Sequence, residues 1–337
     1  MTETCIAPAA PVPAQPTGRL PGLEALRCVA AFCVLLLHTR AVFSGQFWFG
    51  RGYLGVDFFL MLSGYLMASV QEPRLANGLA PWTFMARRYR RLWPMMAAGG
   101  LIGIPMQYLR SHGLGEFAFI TAMNMALLPV WGQIFVFPLN IPAWTIFAQI
   151  VCEGAHVALL RRMGGYILPV LIALLIMAMV HYGAVFGSFD LGAKPTTLLP
   201  GLVRCLLAYA IGMGLARWWR DIPPPPVPPL LALVIMPVVI AASWALHVRG
   251  WWFDLAFVLV VCPLMIAGGL RLRRFQRAAG ILGQLSFPLF ALQMPVLQGM
   301  RQMGFTYWSG LFGAIAVGLA GTAIVARWRG RGTSMSQ

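Results

Sequence analysis

The chain has 337 residues, of which 59% are hydrophobic and only 10% charged, and its mean hydropathy is +0.76. A soluble core of this size needs far more polar covering, so the composition excludes a soluble globular protein and defines an all-α, polytopic membrane protein. The formal charge of +16 does not point to nucleic acid, because the cations cluster between apolar segments, where they serve as topology signals and contacts for anionic ligands.

The first 18 residues are rich in Ala and Pro and lack a basic region ahead of an apolar core, so they read as a disordered cytoplasmic tail and not as a cleaved signal. Apolar segments follow at roughly 23–41, 53–71, 91–108, 142–160, 164–183, 198–218, 229–247, 252–270, 281–300 and 307–327. That predicts ten transmembrane helices. A further apolar stretch, 117–130, is about fourteen residues long and suits a re-entrant or interfacial segment. With ten crossings and both termini in the cytoplasm, Arg87, Arg88, Arg90, Arg91, Arg161, Arg162, Arg217, Arg220, Arg271, Arg273, Arg274, Arg277, Arg327, Arg329 and Arg331 all fall inside. An eleventh crossing inverts everything after it. The Pro-rich 221–230 becomes a stiff cytoplasmic turn, 247–254 an outer turn with an interfacial Trp pair, and 329–337 a cytoplasmic tail. The six cysteines follow no metal-type or redox spacing and read as buried free thiols.

Ionisable residues inside apolar spans are costly and need a reason. Arg27 and His38 are eleven residues apart, so one helix face carries both within roughly 20°, about 16 Å apart along the axis. Asp57 opens the next span, close to where His38 ends the first. Separate snorkelling of Arg27 and His38 to the two interfaces is the simpler account of each alone. The run 84–94 packs four arginines into five positions ahead of Pro94, which is expected to open the third span. It reads either as a positive-inside anchor or as a grip in which Arg88 and Arg91 hold phosphates with their guanidinium forks. In 142–156, Gln149 and Glu153 share a face, with His156 adjacent; a helix-helix hydrogen bond and an arginine pair are the structural alternatives. Trp131 and Trp144 also fit an interfacial belt, Arg204 lies near the outer end of 201–217, and Gln284, Ser286 and Gln293 sit between Pro288 and Pro295 or just before them. No nucleotide loop, zinc motif or nucleophile elbow is present. The residues alone therefore leave an intramembrane enzyme and a transporter both open.

The order of motifs resembles acyltransferase family 3, the bacterial integral membrane O-acyltransferases that decorate glycans. LEALRCVAAFCVLLLH (23–38) is similar to the family's Arg-x10-His helix, GYLGVDFFLMLSGYLM (52–67) to its Gly-Val-Asp-x-Phe-Phe-x-x-Ser-Gly signature, and RRYRRLWP (87–94) to its arginine motif. NIPAWTIFAQ (140–149) and LGQLSFPLFALQMPV (282–296) resemble two later motifs, with Gln149 where the family usually has Glu and Gln293 where it usually has His. Neither amide exchanges a proton at ordinary pH, although hydrogen bonding survives. Glu153, one turn further in, is the carboxylate placed to substitute for the first.

The resemblance implies a transmembrane acyltransferase domain over 19–328 in a bacterial inner membrane, moving an acyl group, commonly acetyl, from cytoplasmic acyl-CoA to a hydroxyl of a glycan or exopolysaccharide at the outer face. It implies no metal. On this expectation His38 is the general base, Asp57 orients its imidazole and Glu153 completes the catalytic set. Arg27, Arg88 and Arg91 bind the CoA, and Trp144, Gln149, Arg204 and Gln293 face the acceptor. A covalent route in which His38 carries the acyl group fits the same residues. Two rivals stay open: a catalytically weakened member, motivated by the two glutamines, and a transporter or flippase. The transporter predicts related halves, and 1–165 shows no convincing repeat in 166–337.

Overall fold

A computed structural model describes residues 20–44, 49–272 and 275–334, with side chains up to Arg327. The N-terminal tail expected over 1–18 lies outside the described residues, and so does Cys5; the other five cysteines are buried free thiols. The regular structure of the described residues is all helical, with no strand among them. The helices are α1 (Pro21–Phe43), α2 (Leu54–Leu66), α3 (Glu72–Ala76), α4 (Pro81–Arg110), α5 (Leu114–Met125), α6 (Ala143–Ala158), α7 (Ile167–Phe186), α8 (Leu198–Asp221), α9 (Pro229–Ala245), α10 (Trp251–Ala256), α11 (Cys262–Leu270), α12 (Gln276–Gln302) and α13 (Tyr307–Ser334). A π-helical turn, Met67–Gln71, joins α2 to α3, and a second, Phe257–Val261, joins α10 to α11.

Each of the ten expected spans falls on helix, and among the described residues seven helices, counted through their π-helical turns, are long and apolar enough to cross a membrane. The other three are α4, whose first half carries the arginine run, and α6 and α9, which have 16 and 17 residues. The stretch expected to be re-entrant forms α5, of only 12 residues. Two boundaries differ from expectation. Pro94 does not open the third span: α4 starts at Pro81, where a proline at the first turn loses no hydrogen bond, and continues through Pro94 and Pro105, so Arg87 to Arg91 lie on helix. The C-terminal tail expected from 329 is helical to Ser334.

The centre is built from α1, α2, α8 and α12. Most of the apolar window of Pro195–Asp221 is buried (72%), against 22% for α7 and 28% for α13, which therefore form the periphery. Small residues allow the central helices to touch. A Cβ on Gly64 would meet the Tyr209 carbonyl oxygen at 2.0 Å, and one on Gly212 would meet that of Met61 at 1.8 Å, so α2 and α8 pack backbone to backbone. Gly52 sits against Cys33 and Leu37, and Gly55 against Ala30 and Val34, which fixes the register of α2 on α1.

Helices α1 and α12 run alongside each other over most of their length. Gly283 sits against Glu24, and the Arg301 guanidinium donates to the Val42 carbonyl, a constant offset of 259 residues at both ends (283 against 24, 301 against 42). Because the offset is unchanged, the two helices are parallel. Ser286 stands level with Arg27, Gln293 with Val34, and Leu297 with His38.

Candidate active site

A cavity opens between α1, α2, α4, α6 and α12. Its apolar wall includes Phe59, Leu92 and Phe290, and its polar groups are Arg27, Ser63, Thr145, Gln149 and Ser286. The helix periodicities account for this set. Ser63 lies four residues beyond Phe59 on α2, and Thr145 four before Gln149 on α6, so each pair presents to one side. Thr145 donates to the Pro142 carbonyl and Ser286 to that of Gly283, leaving their oxygen lone pairs as acceptors toward the cavity.

Gln149 lines the cavity and hands on a polar chain behind it. Its Nε2 donates to Glu153 Oε1 at 2.9 Å, and Glu153, fully buried, takes both forks of Arg88. The alternative of an arginine pair is therefore the arrangement found, and neither Glu153 nor Arg88 stands with its charge uncompensated. One turn further along α6, His156 Nε2 lies 3.2 Å from Glu72 Oε1 without hydrogen-bond alignment, and Glu72 also holds Arg217 and Arg220. Glu72 is unremarked in the sequence, and Arg217 and Arg220 count there only as topology signals. They sit at span ends, where charge is commonplace.

Asp57 requires a correction. Arg204 Nε donates to Asp57 Oδ1 at 2.8 Å and Nη2 to Oδ2 at 2.5 Å, so the carboxylate is forked by an arginine from α8 and not by His38. The register explains why. Moving from Gly52 to Gly55 descends α1 from Cys33 and Leu37 to Ala30 and Val34, and Asp57 is deeper still, below the level of His38. Arg204, expected to face the acceptor, also donates to the Tyr53 and Leu191 carbonyls and is 2% exposed. Its donors are spent on the fold. Trp144 is likewise absent from the cavity wall: its ring covers Gly192, where a Cβ would meet it at 2.2 Å.

His38 and Gln293 lie beyond the cavity, toward the C-terminal ends of α1 and α12. His38 Nδ1 is buried and has no hydrogen-bond partner in the protein, and neither amide atom of the fully buried Gln293 has one. Arg91 is exposed on α4. Of the residues expected to act, Arg27 and Gln149 therefore share the cavity; His38 and Gln293 continue its polar line beyond it; Asp57, Glu153 and Arg88 are held in ion pairs.

A second constellation, missed in the sequence, ties together the loops that precede α2, follow α7 and precede α10. Asp254 accepts from Arg51, from the Tyr53 hydroxyl at 2.8 Å and from the Phe189 backbone amide at 3.0 Å, while Arg51 also donates to the Val248 carbonyl at 3.0 Å. Asp254 was legible as a charge at the mouth of an apolar segment, but the Trp pair beside it suggested a plain interfacial turn.

The chain belongs to the acyltransferase 3 family, whose profile, an acyltransferase domain, matches residues 20–327. It is an acyltransferase. Among curated proteins it is 26% identical to the exopolysaccharide production protein ExoZ of Rhizobium meliloti over 257 residues, 72% of this chain and 75% of that one. It is 31% identical to protein 2 of the picA locus of Rhizobium radiobacter over 159 residues, 40% of this chain and 78% of that one. It is also 40% identical to the putative peptidoglycan O-acetyltransferase YrhL of Bacillus subtilis, over only 22% of this chain and 11% of that one. No solved structure matches.

Proposed function

We propose that this acyltransferase is an O-acyltransferase of a bacterial inner membrane, taking an acyl group, acetyl first among them, from cytoplasmic acyl-CoA and passing it to a hydroxyl of a glycan at the outer face. The observation that carries this reading is the polar line along α1 and α12, from Arg27 in the cavity to the unpartnered Nδ1 of His38. The names of ExoZ and YrhL, an exopolysaccharide production protein and a peptidoglycan O-acetyltransferase, support a glycan acceptor. Ten crossings with both termini inside would place the arginine-rich ends in the cytoplasm, where an anionic donor is met.

In this mechanism the His38 imidazole takes the proton of the acceptor hydroxyl as its oxygen attacks the thioester carbonyl. The C–O bond forms, the C–S bond breaks, and the proton returns to the leaving thiolate, so the reaction is neutral overall. His38 works without a carboxylate behind it, because Asp57 is committed to Arg204. Arg27 and Arg91 bind the donor; Arg88, neutralised by Glu153, instead fixes the cavity floor beneath Gln149.

Replacing His38 with Ala in protein reconstituted in nanodiscs should lower acyl transfer by about 10² to 10⁴ with acyl-CoA binding retained. A His38→Ala protein that transfers at the wild-type rate removes the assignment. A second experiment tests the weakened-member alternative, which expects Gln149→Glu together with Gln293→His to create activity. The geometry expects the reverse: the Gln149 amide donates to Glu153, so a carboxylate there faces another at 2.9 Å, and activity should fall together with a loss of about 1–3 kcal/mol in stability.

A further inference from the structure

We propose that Gln293 is the catalytic hydrogen-bond donor to the acyl carbonyl, supplying from its Nε2 the contact that stabilises the oxyanion of the transfer. The inference rests on the acyl-transfer reading above and adds where the reacting carbonyl sits.

Gln293 is fully buried, and neither its Oε1 nor its Nε2 meets a partner in the protein. Leaving a buried amide unpaired is destabilising, and an apolar residue of similar shape avoids that cost. The position also has a direction. Ser286 lines the cavity, and Gln293 follows it by seven residues, two helical turns, which returns the chain to the same face within about 20° and about 10.5 Å further out. By the 259-residue offset, Gln293 is level with Val34 and therefore four residues, about 6 Å, inward of His38.

That interval is what the reaction needs. A hydroxyl hydrogen-bonded to His38 must lie about 3–3.5 Å from the carbonyl carbon that it attacks. The carbonyl arrives from the cavity side, inward of His38, and its oxygen then falls at the level of Gln293. An amide is suited to this task because it donates without changing its protonation state. As the new C–O bond forms, the carbonyl π pair moves onto oxygen, the Gln293 N–H holds that charge, and collapse expels the thiolate, which takes the proton from His38. Gln293 thus stabilises charge while His38 moves the proton.

The test uses the full-length protein in nanodiscs with acetyl-CoA labelled with ¹³C at the carbonyl, read by infrared difference spectroscopy and by steady-state transfer. The wild-type protein should shift the bound carbonyl band to lower wavenumber than in water. Gln293→Leu should lose that shift and about 10²-fold in kcat, with KM for acetyl-CoA within a few-fold and a thermal midpoint unchanged or raised. Gln293→His, which keeps an N–H donor, should recover part of both. If Gln293→Leu keeps the band shift and the rate, or loses activity only because its thermal midpoint falls, the inference is overturned while the proposed function stands. A wild-type protein that binds no acetyl-CoA overturns the proposed function and, with it, this inference.

Discussion

Two sets of buried polar residues lie side by side in the core and differ in one respect. In the first, made of Asp57 with Arg204 and Asp254 with Arg51 and Tyr53, each carboxylate is met by an arginine, through two bonds to Asp57 and with the Tyr53 hydroxyl and the Phe189 amide added at Asp254. In the second, along α1 and α12, His38 Nδ1 and both amide atoms of Gln293 have no partner in the protein. The first set spends all its hydrogen-bonding capacity on holding helices together. The second keeps its capacity for something that is not protein. Other buried groups, among them both ring nitrogens of His156 and the Tyr209 hydroxyl, also lack a partner, so it is the place of His38 and Gln293 on the line leading from the cavity that sets them apart.

That contrast can be broken, and the largest effect should come from the satisfied set. Arg204→Met leaves the Asp57 carboxylate buried and alone, which should cost about 3–5 kcal/mol and appear as aggregation or a strongly lowered midpoint in size-exclusion after heating. Replacing Asp57 by Leu in the same chain should restore most of the loss. An Arg204→Met protein as heat-resistant as wild type would show that the pair is not architecture. The unsatisfied set should respond the other way: His38→Ala should keep its thermal midpoint while transfer collapses by about 10² to 10⁴. A His38 variant that melts early would move that residue into the first set. Smaller again is Arg51→Met. Tyr53 and the Phe189 amide still hold Asp254, so the loss should be about 1.5–3 kcal/mol of stability at unchanged KM; a selective loss of acceptor binding would instead give this outer clamp a part in recognition.

Much of the fold was legible because a bilayer leaves few choices. Long apolar segments must be helices there, and the ten expected spans all fall on helix. The start of α4 was misplaced because proline is equally at home at a first turn and, within a membrane bundle, inside a helix, so Pro94 looked like a beginning when Pro81 was the one. The cavity residues Arg27 and Gln149 were found because a charge or amide within an apolar run stands out. The pairings were not, because partner choice is a three-dimensional fact. Asp57 was expected to meet His38, its neighbour in the chain, but glycine contacts at Gly52 and Gly55 set a register that carries it past His38 to an arginine 147 residues away. Ser286 looked ordinary in the sequence, and only the parallel alignment of α12 with α1 sets it level with Arg27.

The length of chain between partners also sets an order in time. At about 5–20 residues per second, synthesis takes roughly 7–30 s to supply Arg204 after Asp57 has emerged, and about 10–40 s to supply Asp254 after Arg51. Until then Asp57 and Arg51 lack the partners that hold them in the folded protein. The ion pair between α2 and α8 can therefore form only once α8 has been made, and the clamp on Asp254 only once α10 has, so the contacts that close the fold come late in synthesis.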